Sequence, residues 1–184
     1  MKPVIEQLRA EHLGMAQLLA ILETQVGLIE GAGEPDYPVI EDIVLYFLDF
    51  PDTCHHPKED LIAARLLEMA PERAAPLLGL ADAHRDAAVL TAKVAAVLGS
   101  VLNEEIVPRA RIIGTVQAFI AAQRLHMQME DEIFLPLAAA LLGDAELAGL
   151  ASAVFEHGDP LGRAEAEERF SRLKETVLNW AQAR

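Results

Sequence analysis

The feature that most restricts this chain is one spacing used twice. His55-His56-Pro57-Lys58-Glu59-Asp60 and His126-Met127-Gln128-Met129-Glu130-Asp131 each set a carboxylate four residues after an imidazole. On an α-helix, residues four apart share a face, one turn from each other. Each string therefore offers a nitrogen donor and an oxygen donor side by side. Polar groups of this kind are costly inside an apolar seam unless a partner satisfies them.

The sequence around them is helical and apolar. Pro3 stands where a helix can start. From there Ile5, Leu8, His12, Met15, Leu19, Leu22, Val26 and Ile29 recur in steps of three and four, a bundle seam with one histidine set into it. Gly31-Ala32-Gly33-Glu34-Pro35 ends that helix. A second helix is expected over 36–70, with Ile40, Val44, Phe47, Ile62, Leu66 and Met69 inward. Pro51 and Pro57 disturb its middle. Either the helix breaks, with Pro57 opening a new one, or it continues with a kink; the length a bundle needs favours the kink.

A third helix is expected over 72–104, with Leu77, Ala81, His84, Ala88, Thr91, Ala95 and Leu98 along its seam. A fourth starts at Pro108 and runs to Gly143, with Ile112, Val116, Phe119, Gln123, His126, Glu130, Ile133 and Leu137 as its stripe. A short helix over 144–155 follows, then a turn at Gly158-Asp159-Pro160. A last amphipathic helix carries Phe170, Leu173, Val177 and Trp180 on one face. The expected fold is all-α: an up-down-up-down four-helix bundle over 1–143, with a helical extension over 144–184 packed on it.

Helical rise tests whether the polar groups can meet. At ~1.5 Å per residue, His12 and His55 each lie ~27 Å from the first turn, Glu59 and His84 ~17–18 Å from the second, and His84 and His126 ~27–29 Å from the third. Single histidines at His12 and His84 thus fall in one slab with the two His-x-x-x-Glu pairs. Four imidazoles and two carboxylates at one level can satisfy each other as a hydrogen-bonded network. A dication or trication does so better.

Composition narrows the alternatives. The 184 residues carry a formal charge of −14, which argues against nucleic acid as a partner. Hydrophobic residues make up 52% and aromatic ones 5%, so the core should be aliphatic. Cys54 is the only cysteine, which excludes an intrachain disulfide, an iron–sulfur cluster and a cysteine-type zinc site. The N-terminus reads as an amphipathic helix and not a signal peptide. No stretch approaches the ~20 apolar residues of a membrane span. The expected compartment is the cytoplasm, with no membrane partner.

The order single His (His12), His-x-x-x-Glu (His55, Glu59), single His (His84), His-x-x-x-Glu (His126, Glu130) resembles the hemerythrin-like, or HHE cation-binding, family. The resemblance covers roughly residues 3 to 142. It implies a non-haem pair of iron ions, oxo- or hydroxo-bridged, held by His12, His55, Glu59, His84, His126 and Glu130, with Glu59 and Glu130 as bridges. It also implies a small ligand: O₂, NO or a peroxide. Oxygen carriers of the family have a second histidine one turn after the third-helix one, where this chain has Ala88. That difference implies an extra open position and points to sensing, scavenging or stress chemistry rather than reversible carriage.

Two other readings stand beside it. Some relatives with this ligand set deliver iron to, or repair, damaged iron–sulfur proteins. A metal-free structural bundle, with its histidines as a polar network and the Phe170/Trp180 face as a partner surface, is the third; a homodimer is open to it. Around the site, His56 reads as a partly exposed neighbour or, with Asp60, a reserve pair; Asp131 is the reserve for Glu130. Gln123 reads as a donor near the site or a polar rim residue. Tyr46, Met15, Met127, Met129 and Cys54 read as packing residues, and His157 as an exposed loop residue.

Overall fold

The computed structural model describes residues 2–154, together with 173, 175–177 and 179. Every regular element in them is helical. Helix α1 spans Pro3–Glu30, α2 Tyr37–Phe50, α3 His56–Met69, α4 Pro71–Ala74, α5 Leu80–Leu102, α6 Arg109–Met129, α7 Leu135–Leu141 and α8 Asp144–Ser152. The last helix of the sequence reading, with His157, Phe170 and Trp180, lies largely outside the described residues.

Two pairs of elements run on as single rods. Between α2 and α3, Pro51–His55 form a π turn, in which the His56 N–H donates to the Pro51 carbonyl, and Phe50, Pro51, His55 and His56 all lie in the right-handed helical region. This is the kinked, unbroken helix. Asp36 caps its start by accepting from the Val39 N–H at 3.1 Å. A second π turn, Glu130–Phe134, joins α6 to α7, with the Leu135 N–H donating to the Glu130 carbonyl.

A π turn inserts one extra residue, and everything after it rotates on the helix. The expected stripe of the fourth helix holds through Val116, Phe119 and Gln123 but fails beyond Glu130. Ile133 faces solvent and Phe134 takes the inward position in its place, while Leu137 is half-buried against the core beside the fully buried Ala138. Met69, at the end of α3, is also exposed rather than inward.

The third helix differs as well. Pro76 has no N–H to give the preceding turn, so Pro71–Ala74 and a 3₁₀ turn at Ala75–Leu77 stand apart from α5, which starts at Leu80. Its buried seam is Leu80, His84, Ala87, Thr91, Val94 and Leu98; Ala81 is exposed, and Ala88 and Ala95 are half-buried.

The rods α1, α2–α3, α5 and α6–α7 pack around a common axis, α1 against α2 and α6, and α5 against α2 and α6. Two apolar clusters fill it. One gathers Leu19, Leu22, Val44, Phe47, Phe50, Val94, Phe119 and Met127, and Leu173 of the C-terminal segment is buried in it. The other gathers Ile5, Leu8, Ile62, Leu66, Leu80, Phe134, Leu135 and Leu147. The polar layer sits between them. By length and composition α1 is the one straight helix among the described residues that could cross a membrane, contrary to the expectation that no stretch qualifies, while α6–α7 with α8 would pass only as a span bent by 116°; 44% of the most apolar window of α1 is buried inside the bundle.

Candidate metal centre

Each rod delivers side chains to that layer from a fixed register. His12 lies on α1 between Leu8 and Met15, both buried. His55 ends the first π turn and Glu59 follows in the first turn of α3. His84 is one turn into α5. His126 closes α6, and Glu130 opens the second π turn. The six residues are brought together, and both carboxylates are fully buried.

The geometry has two lobes. In one, His12, His55, Glu59 and Glu130 converge, each offering an atom within 4.8 Å of the others. His12 Nε2 lies 3.0 Å from His55 Nε2, 3.6 Å from Glu59 Oε1 and 3.4 Å from Glu130 Oε2. The second lobe joins Glu59 and His84 to His126 and, unexpectedly, His56. Glu59 Oε2 is 3.5 Å from His84 Nε2, while Glu130 Oε1 is 3.2 Å from His84 Nε2 and 3.1 Å from His126 Nε2. Both carboxylates thus reach into both lobes, as bridges would.

His56 is therefore no partly exposed neighbour. It is buried, stacked on His84 at 4.1 Å between ring centroids, and its Nδ1–H donates to Asp52, not Asp60. Residues 55 and 56 can both turn inward because the π turn ends between them; on a regular α-helix they diverge by about 100°. The signal available in the sequence was the His-His dipeptide itself, bracketed by Pro51 and Pro57. The lobe that Ala88 leaves short of an imidazole gains one from α3.

Outer carboxylates fix the rings. His12 Nδ1–H donates to Asp131 at 3.0 Å, His55 Nδ1–H to Glu11 at 2.7 Å, and His84 Nδ1–H to Asp60 at 2.9 Å. Asp131 and Asp60 are thus partners of ring nitrogens, not substitutes for Glu130 or Glu59. A proton on Nδ1 leaves Nε2 as a lone pair, and each Nε2 faces the centre. His126 differs: both of its ring nitrogens are buried without a hydrogen-bond partner.

Lone pairs and carboxylates cannot face one another without positive charge between them. In the metal-free protein protons supply it. Burial opposes a charge on His12, but the hydrogen bond to Asp131 and the nearby Glu59 carboxylate outweigh it and raise its pKa to about 9. Burial likewise opposes His55 and His84, and the carboxylates of Glu59, Glu11 and Glu130 raise them to about 10 and about 9. Burial and repulsion from His84 and His56 push His126 down to about 3. Burial and Glu59 raise Glu130 to about 7, whereas Glu59, despite its burial, is held well below the usual carboxylate range by His55, His12 and His84.

Even so, both oxygens of Glu59, Oε2 of Glu130 and both nitrogens of His126 remain buried and unsatisfied. Each such atom costs about 1–3 kcal/mol. Donors of this kind, imidazole nitrogen with carboxylate oxygen, suit a borderline transition-metal cation. The residues present fit one.

A family model described as the hemerythrin HHE cation binding domain matches residues 4–138. The chain belongs to this family. Neither the curated proteins nor the solved structures contain a match to it. In this hemerythrin HHE chain the matched stretch contains every residue of the two lobes.

The remaining residues singled out in the sequence pack as their type suggests. Tyr46 lies against Phe47 and Phe50, and Met15 and Met127 are buried in the same cluster. Cys54 is buried beside the Thr53 hydroxyl, and Gln123 is buried one turn before Met127. Outside the His12 lobe, a cavity of about 620 Å³ opens between α1 and α6–α7, lined by Arg9, His12, Leu13, Ala16, Met127 and Asp131 among others.

Proposed function

We propose that the chain is a di-iron protein that binds O₂, NO or a peroxide, in sensing, scavenging or a stress response in the cytoplasm. His12 and His55 would hold one ion and His56, His84 and His126 the other, with Glu59 and Glu130 shared. The observation that carries this reading is the set of buried, unsatisfied oxygens and nitrogens at the meeting point of the lobes. Up-down-up-down connectivity of the four rods goes with it.

When bound, such a pair supplies electrons and open coordination positions to a small ligand. The chain's own part is to hold and to exclude. The two apolar clusters close the layer above and below, and the outer carboxylates hold the Nδ1 protons, so that Nε2 is the atom a metal takes when it displaces the proton there. The His12 lobe has two imidazoles against three in the other, and it adjoins the cavity between α1 and α6–α7. That asymmetry favours ligand entry on the His12 side.

Carboxylates behind four of the five imidazoles favour retention of the metal over release, and so a binding role over iron delivery. Anaerobic reconstitution with ferrous iron tests the reading. Two ions per chain, a near-ultraviolet charge-transfer band that moves on adding azide, and a raised melting temperature are expected. A colourless protein that takes up no iron and melts unchanged would leave only the structural bundle.

A further inference from the structure

Of the carboxylates that back the ring nitrogens, three stand at the edge of solvent: the side chains of Asp52, Asp60 and Asp131 are 37%, 41% and 46% exposed. Glu11, behind His55, is 4% exposed. Its Oε2 accepts from His55 Nδ1–H at 2.7 Å, and its Oε1 accepts from the Gln7 amide at 2.9 Å. Lys58 lies alongside, the only lysine or arginine buried among the described residues. Its Nζ is 3.9 Å from Glu11 Oε1 and has no hydrogen-bond partner.

A buried lysine with no hydrogen bond is expensive, and a fold that needed only packing there would place an aliphatic side chain. What the ammonium provides instead is fixed charge. Water screens the three outer aspartates, whereas Glu11, apart from His55 itself, is met among the described residues by the Gln7 amide and Lys58. We propose that Glu11 and Lys58 act as a pair of opposed positioning residues that set the reduction potential of the metal held by His55. The Glu11 carboxylate strengthens His55 as a donor and favours the higher oxidation state; the Lys58 ammonium, drawing on the same carboxylate, favours the lower one. The pair makes the His55 lobe electronically different from the other, whose backing carboxylates, Asp52 and Asp60, stand partly in water.

This inference rests on the metal reading above, and its test separates the two. Full-length wild-type protein, Glu11→Gln and Lys58→Met are loaded with iron, assayed for iron per chain, and titrated by spectroelectrochemistry. Both substitutions preserve volume. Expected are unchanged iron content and potentials that move in opposite directions. At a fixed poise Glu11→Gln shifts the ferric-to-ferrous ratio toward ferrous by tenfold or more, and Lys58→Met shifts it toward ferric by a similar factor. A tenfold ratio is about 59 mV for one electron. Potentials that stay at the wild-type value, or that move together, overturn the proposal while the metal reading stands, since loosened packing would shift both the same way. Should Lys58→Met fail to fold, Lys58→Arg is expected to keep the wild-type potential, and a shift in it counts against the proposal. A wild-type protein that binds no iron removes both readings.

Discussion

The rings of His56 and His84 lie face to face, 4.1 Å apart between centroids and 10° from parallel, although they come from different rods. His126 meets both edge-on. A π turn on α2–α3 thus supplies the imidazole that α5, with Ala88 one turn after His84, does not. The backbone irregularity and the make-up of the candidate lobe are one feature.

His56→Ala tests that link. Loss of this imidazole leaves the His84 lobe with two, so iron retained after desalting is expected to fall toward about one ion per chain. Asp52→Asn, which removes only the backing carboxylate, should weaken retention by about 10–100-fold. Metal analysis on both variants checks it, and full retention in His56→Ala would return that residue to packing.

The register after the second π turn makes a contrast between neighbours. Phe134 is fully buried and Ile133 is 41% exposed. Phe134→Ala should cost about 3–5 kcal/mol, and Ile133→Ala should stay within about 0.5 kcal/mol. An uninterrupted α-helix predicts the reverse order. Urea unfolding of the two variants decides it.

Every position expected on the α1 seam, from Ile5 to Ile29, is buried, because the repeat runs without interruption and no proline or π turn disturbs the phase. The convergence of His12, His55, Glu59, His84, His126 and Glu130 was legible for a related reason: rise per residue is constant, so height along a rod depends on residue count alone. Facing depends on phase, which one inserted residue resets. That is why the reading differs from the structure at Ile133 and at the inward turn of His56. The third-helix seam holds at Leu77, His84, Thr91 and Leu98 and departs only at its alanines. Alanines are apolar enough to sit on either face, so Ala81, Ala88 and Ala95 formed a stripe as regular as Leu80, Ala87 and Val94. Glu11 and Lys58 carried no signal, since charged residues beside ligands ordinarily mark a solvated face.

The protons that replace metal give the empty protein a pH signature. His12, His55 and His84 sit at about 9, about 10 and about 9 in the folded chain, against about 6.5 when unfolded. Between those values the folded state holds more protons, so the stability they contribute is full below about pH 6.5 and is lost as pH rises through 9–10. Glu130, raised to about 7, has the same sign and has lost its contribution by the lower part of that window. The metal-free protein should therefore melt at least about 5 °C lower at pH 10 than at pH 7, given about 2–4 °C per kcal/mol. Iron displaces these protons, so the loaded protein should lose less over the same range, and its affinity for metal should rise with pH. Calorimetric scans of both forms check the sign.

Ligand entry from the α1/α6–α7 cavity makes the last prediction. Leu13 is 63% exposed and lines that cavity together with His12 and Asp131. A tryptophan there would fill the mouth without touching the two apolar clusters, to which Leu13 does not belong. Leu13→Trp should keep its iron content and melting temperature while slowing azide association by about tenfold, equivalent to about 1.4 kcal/mol of added barrier. Val89 is similarly exposed, on the surface of α5, and does not line the cavity; Val89→Trp should leave the rate unchanged. Stopped-flow mixing of each iron-loaded variant with azide compares the two. Equal rates would place the route elsewhere, and the two-imidazole lobe would then need another opening to solvent to serve as the ligand's side of the pair.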